Sequence, residues 1–166
     1  CRAFAAPASA NAPSLDELLR DILQRLANER LPEIPTDLDA QLALLLEFLR
    51  QQRVLLVLDN LESILQPDQP GQLRPGYEGY AQLLQRLSST SHRSVLLLTS
   101  REAPKVLEAA PKALGAVRTL ALSGLDGAAG QSLLQQHGLQ ATPQELASLV
   151  QHYSGNPLAL QITATT

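Results

Sequence analysis

The residues that most constrain what this chain can fold into are 53–62, RVLLVLDNLE. Val54 to Leu58 run apolar with no polar alternation and end on Asp59. A short Val/Leu run of this kind reads as a strand buried on both faces, the central kind found in parallel α/β sheets. A carboxylate released at the C-terminal end of such a strand falls where open α/β sheets bind ligands. Two readings of Asp59 stay open on this stretch alone. One is a ligand-binding acid; the other is an Asx turn closing an ordinary core strand, since any doubly wound fold contains such strands.

With 166 residues the chain is one domain, or one domain and part of a second. A composition 45% hydrophobic and 17% charged is globular and allows a sizeable core, which is aliphatic: Leu dominates, Trp and Met are absent. A net charge of -3 gives no electrostatic footprint for nucleic acid. No apolar segment approaches the roughly 20 residues of a membrane span. Cys1 is the only cysteine, which excludes an internal disulfide and a Cys-based metal site and suits a reducing cytoplasm. The opening residues CRAFAAPASA carry one basic residue and a Pro within their apolar part, so they do not read as a signal peptide. His92, His137 and His152 sit in separate segments without ligand spacing, and no Ser or Cys has the flanks of a nucleophile elbow.

Residues 1–13 are rich in Ala and Pro and predict an irregular segment. Ser14 and Glu17 form a capping box, followed by Leu15, Leu18, Leu19, Ile22, Leu23 and Leu26 on one helical face. Pro32 and Pro35 interrupt the chain; Thr36 is then the expected cap of a second helix with inner residues Leu38, Leu42, Leu45, Leu46 and Leu49. Residues 66–79 hold three Pro and three Gly and predict a loop, ahead of a helix carrying Tyr80, Leu83, Leu84 and Leu87. Residues 94–99, SVLLLT, predict a second buried strand, 104–110 a short helix, and 117–122, VRTLAL, a third strand. Strands alternating with helices predict an α/β fold with a parallel sheet. From Asp126 onward only helices are expected: one ended by Gly138, one opened by the capping box of Thr142 and Glu145, and one capped by Asn156 with Pro157 at its first position.

Three landmarks therefore stand in order: LLVLDN at 55–60, LLLTSRE at 96–102 and GNPLAL at 155–160. Together, with YEGY at 77–80 and LSGL at 122–125, they resemble the NB-ARC class of STAND NTPases, nucleotide switches of bacterial regulators and of plant and animal immunity and death proteins. The likeness covers residues 11–166 and is nearest to cyanobacterial and related bacterial versions, which usually carry WD-repeat or helical-repeat sensor domains further along. The resemblance implies an incomplete P-loop NTPase-type core over 14–122 and the start of a helical lid subdomain over 123–166. It implies ADP or ATP with Mg²⁺ as cofactor, other domains of a longer chain as partners, C-terminal repeats among them, and a homo-oligomer in the ATP state.

Residue by residue, Asp59 matches the Walker B acid that holds Mg²⁺ through water. Asn60 stands where the family commonly has a second acid, which leaves the water-activating residue open; Glu62, three residues past Asp59, is a candidate general base. Thr99 and Arg101 match the sensor 1 position, where Arg meets the terminal phosphate. Gly155 and Pro157 match the lid turn whose Pro packs on adenine. Simpler roles stand beside these: Arg101 as a solvated partner of Glu102, and Pro157 as a plain helix-start residue. The phosphate-cradling run G-x-x-x-x-G-K-[ST] is missing from these residues. Residues 71–76 have its glycine spacing but follow it with Tyr77 in place of Lys. The expectation is a piece of a larger nucleotide switch; the alternative is a non-catalytic interaction module on the same fold.

Overall fold

A computed structural model describes residues 12–27, 33–108 and 117–165, and the backbone of residues 2–6. The elements run β1 (Arg2–Ala6), α1 (Leu15–Leu26), α2 (Leu38–Gln51), β2 (Val54–Leu58), a 3-10 turn (Leu61–Ile64), α3 (Gly79–Ser89), β3 (Val95–Leu98), α4 (Lys105–Glu108), α5 (Gly127–Gln136), α6 (Pro143–His152) and α7 (Pro157–Ala164). The chain divides into two compact units, residues 1–118 and 119–166. Helices and a parallel sheet make the first an α/β unit; the second is helical.

In the first unit the sheet order is β1-β2-β3, all parallel. Neighbouring strands joined by right-handed crossovers in one direction place their connecting helices on one face. The burial fits that rule. Val54, Leu56 and Leu58 of β2 sit in one core with Leu19 and Leu23 of α1, Leu42, Leu45 and Leu49 of α2 and Leu83 of α3. The opposite sheet face is barer than the sequence predicts for strands buried on both sides. Leu55 and Val57 are half-buried, and Val95 and Leu97 of β3 are 60% and 49% exposed.

Capping decides where the helices begin. Ser14 and Glu17 form the expected reciprocal box on α1. The cap of α2 is Asp37, not Thr36: Asp37 is extended and its carboxylate accepts the N–H of Ala40 at 2.9 Å. Thr36 precedes it by one residue. The side chain of Gln41 is fully buried between α1 and the start of α2, where its Nε2 donates to Asp16 Oδ1 at 2.7 Å and to the Pro35 carbonyl at 2.8 Å. The hydrogen bond from Gln41 is the main cause holding the Asp16 carboxyl below its ordinary range. Tyr77 and Tyr80 donate their hydroxyls to the Ala12 and Pro13 carbonyls at 3.0 and 2.9 Å, fixing the chain that leads into α1. Burial pushes the Tyr80 phenol up to about 12.

Two further expectations are corrected. Residues 2–6 are not irregular: they form β1, in register with β2 from Arg2 opposite Val54 to Ala6 opposite Leu58. Alanines carry little strand propensity of their own, so this strand owes its existence to backbone pairing with β2. Residues 117–122 are not a strand. They pair with no strand among the described residues, and Leu120 and Leu122 are 82% and 87% exposed. The expected helix at 104–110 is seen as α4, with 109–110 outside the described residues.

In the second unit α5, α6 and α7 enclose Leu134, Leu146, Val150 and Leu160. Asp126, Thr142 and Asn156 cap the three helices, Thr142 in a full box with Glu145. Gly130 lets α5 approach α6 closely, since a Cβ there would meet Val150 Cγ2 at 2.6 Å.

Leu45 is fully buried, and Leu45→Ala is expected to lower unfolding free energy by about 2–5 kcal/mol in urea titrations. Leu122→Ala should change it by no more than about 0.5 kcal/mol.

Candidate functional site

Parallel register brings the C-terminal ends of β2 and β3 together. Leu58 lies opposite Leu98, so Asp59 and Thr99 leave the sheet side by side. The Thr99 N–H donates to the Leu58 carbonyl at 3.1 Å, and the Leu61 N–H donates to the Thr99 carbonyl at 2.9 Å. Thr99 Oγ1 accepts the Asn60 N–H at 2.9 Å and donates to Asp59 Oδ1. One hydroxyl thus orients the carboxylate and fixes the turn after it. Asn60 takes the left-handed conformation, φ 58° and ψ 48°, which Asn tolerates better than most residues. That reversal starts the 3-10 turn of Leu61–Ile64 and points Glu62 back toward β3.

Glu62 is the centre of a second cluster. Its side chain is 16% exposed and accepts Arg101 Nε at 2.8 Å. With its amide turned to place nitrogen toward the carboxylate, Asn60 donates to Glu62 Oε1 at 2.8 Å and Oε2 at 3.2 Å. Burial acts to raise the Glu62 pKa, but its own backbone N–H and the hydrogen bonds and charge of Arg101 outweigh it and hold the carboxyl below its ordinary value. An acid so engaged serves better as an anchor than as a proton acceptor.

Arg101 does not pair with Glu102. It reaches across to Glu62, with its own side chain 86% exposed. Glu102 instead accepts the Gly71 N–H at 3.0 Å, while the Lys105 N–H donates to the Gly71 carbonyl at 2.9 Å. Gly71 has φ +72°, and a Cβ there would lie 2.5 Å from the Ala103 carbonyl oxygen. These contacts fasten the 66–79 loop beside the residues after β3. Sequence reasoning gave Glu102 no such role; the signal was a glycine between two prolines, read only as loop.

In the first unit hydrogen bonds join Asp59, Asn60, Glu62, Thr99 and Arg101. Gly155 and Pro157 belong to the second unit. Gly155 has φ +68°, donates to the Val150 carbonyl at 2.8 Å and accepts the Leu125 N–H at 2.8 Å. A Cβ on Gly155 would lie 2.2 Å from the Leu125 carbonyl oxygen, so only glycine fits. Asn156 caps α7 by accepting the Ala159 N–H at 3.2 Å, and Pro157 is exposed at the first helical position.

Chemically, the ends of β2 and β3 offer one exposed carboxylate, Asp59, oriented by Thr99, and one guanidinium, Arg101, held by Glu62. No group of three or more His, Cys, Asp or Glu suited to a metal occurs among the described residues. A single acid fits Mg²⁺, which keeps several waters and commonly binds through one or two carboxylates and the phosphates of its ligand. It does not fit a protein cage.

No family model matches the chain. An uncharacterized WD repeat-containing protein of Nostoc sp. is 40% identical to it over 158 residues, which cover 94% of this chain and 13% of that protein. The chain therefore spans a small part of its relative's length. Among the described residues no helix is long and apolar enough to cross a membrane.

Thr99→Val is expected to lower stability by roughly 1–2 kcal/mol, because the Asn60 N–H and Asp59 carboxylate lose their shared partner. Thr99→Ser should retain most of it; urea midpoints of the two variants decide the point. The depressed Glu62 pKa also has a direction in pH. Its contribution is fully present above the ordinary glutamate value and is lost as pH falls through the lower folded value. Arg101→Gln should therefore flatten the acid side of the stability–pH curve, by less than about 1 kcal/mol because the pair is so exposed on the Arg side.

Proposed function

We propose that this chain is part of an ADP/ATP-dependent regulatory switch of the STAND/NB-ARC kind. The observation that carries the reading is the emergence of Asp59 and Thr99 side by side from neighbouring parallel strands, with Arg101 two residues on. That is where open α/β sheets place ligands. On this reading Asp59 holds Mg²⁺ through water, Thr99 fixes the carboxylate, and Arg101 contributes a cation toward phosphate. Bound Mg²⁺ would neutralise phosphate charge. Gly155 shapes the turn that presents Pro157, the residue proposed to pack on adenine.

The grip on phosphate that a G-x-x-x-x-G-K-[ST] run provides has to come from outside these 166 residues. ADP would favour a closed arrangement of domains, and exchange for ATP an open one able to self-associate, as a two-state element biased by the terminal phosphate. The WD-repeat label of the Nostoc relative supports a setting in which downstream repeats sense the signal. A second reading, a non-catalytic interaction module, draws on the exposed apolar residues Val95 and Leu97 of β3.

The two readings part on one titration. In the full-length protein, nucleotide binding should require Mg²⁺ and weaken about tenfold or more in Asp59→Ala, followed by isothermal calorimetry. Nucleotide-independent behaviour unchanged by Asp59→Ala would favour the interaction module. The isolated 166 residues should hydrolyse no ATP; phosphate release from them that Asp59→Ala abolishes would overturn the assignment of the missing phosphate grip.

A further inference from the structure

The pair made by Glu62 and Arg101 is placed oddly for a stabilising ion pair. One partner is 16% exposed and the other 86%. An ion pair open to water on one side adds little to stability, about 0–1 kcal/mol. The geometry suits a different use. Glu62 is fixed without help from Arg101: it sits in the 3-10 turn of Leu61–Ile64 and receives the Asn60 amide, while the Asn60 backbone is fixed by Thr99. The carboxylate is thus anchored to the same turn that carries Asp59. Arg101 reaches it from the loop after β3, and of its guanidinium nitrogens only Nε makes the contact.

A guanidinium has five N–H donors, and Nε supplies one. The four on the two terminal nitrogens make no hydrogen bond to protein among the described residues, and the side chain is in water. Those four form the planar fork that matches two oxygens of a phosphoryl group.

We propose that Glu62 is a positioning residue, holding Arg101 by Nε so that its terminal fork is presented to the terminal phosphate of a nucleoside triphosphate. The inference rests on the nucleotide reading above and adds to it the residue that sets the aim of the cation. A guanidinium held at one edge loses less freedom when it meets an anion than an untethered one. Removing the tether therefore weakens the triphosphate contact without touching Asp59. A diphosphate, lacking the group the fork would meet, is insensitive to it. In this arrangement Glu62 acts as a hydrogen-bond acceptor that holds the guanidinium, with Arg101 Nε and the Asn60 amide both donating to its Oε1.

The test is a double-mutant cycle in the full-length protein, with Mg²⁺–ADP and a Mg²⁺-bound non-hydrolysable ATP analogue as the two probes. Glu62→Ala and Arg101→Ala are each expected to weaken the ATP analogue roughly tenfold. The double variant should be no weaker than either single one. ADP affinity should stay within about twofold throughout. Glu62→Gln, which keeps an oxygen for Nε, should recover part of the loss, and it stands in if Glu62→Ala fails to fold. Equal weakening of both probes, or losses that add in the double variant, would overturn the positioning role while leaving the nucleotide site in place. A wild-type protein that binds neither probe would overturn the nucleotide reading and this inference with it.

Discussion

Side-by-side pairing of β2 and β3 is the constraint on which the first unit depends. In a parallel pair, residues at the same register leave the sheet at the same end, so Leu58 opposite Leu98 delivers Asp59 next to Thr99. A slip of one residue would turn the Leu56 and Leu58 side chains away from the helices and separate the hydroxyl from the carboxylate. The leucine core enforces the register from below: Leu56 and Leu58 are buried against α1, α2 and α3. Above it, Thr99 closes three hydrogen bonds around the Asp59–Asn60–Leu61 turn. Packing and chemistry thus meet at one pair of strand ends.

Much of this was legible in the residues, for physical reasons that differ from element to element. Helices α1, α6 and α7 announce themselves through caps, since Ser14, Thr142 and Asn156 each satisfy an N–H that the helix cannot. β2 is visible as an apolar run, with Val54, Leu56 and Leu58 buried against the helices and Leu55 and Val57 half-buried on the other face. β1 is not, because Ala and a single Phe carry no pattern; only the partner strand makes it a strand. Residues 117–122 show the converse: the right composition, with no partner among the described residues to pair with. Pattern reports what a segment can do, and pairing decides whether it does so.

The site divides in the same way. Asp59, Thr99 and Arg101 could be picked out from their place at strand ends. Their partners could not, because a contact such as Arg101 with Glu62 spans 39 residues and depends on the left-handed Asn60 turning the chain back. Adjacent in sequence, Glu102 is the obvious partner for Arg101, yet the loop around Gly71 takes it. Local charge patterning is a poor guide where two loops meet.

The tyrosines that hold the lead-in to α1 carry a practical consequence. The chain has three tyrosines and no tryptophan, so its near-ultraviolet absorption and emission come from tyrosine. Two of the three stand with ring centroids 6.1 Å apart and hydroxyls on the Ala12 and Pro13 carbonyls. The third, Tyr153, lies in the helical unit and stacks edge-on with His152. The first unit therefore carries an intrinsic optical reporter at the point where its N-terminal segment meets α3. Detachment of that segment would change the spectroscopic environment of Tyr77 and Tyr80 together, while Tyr153 reports on the other unit.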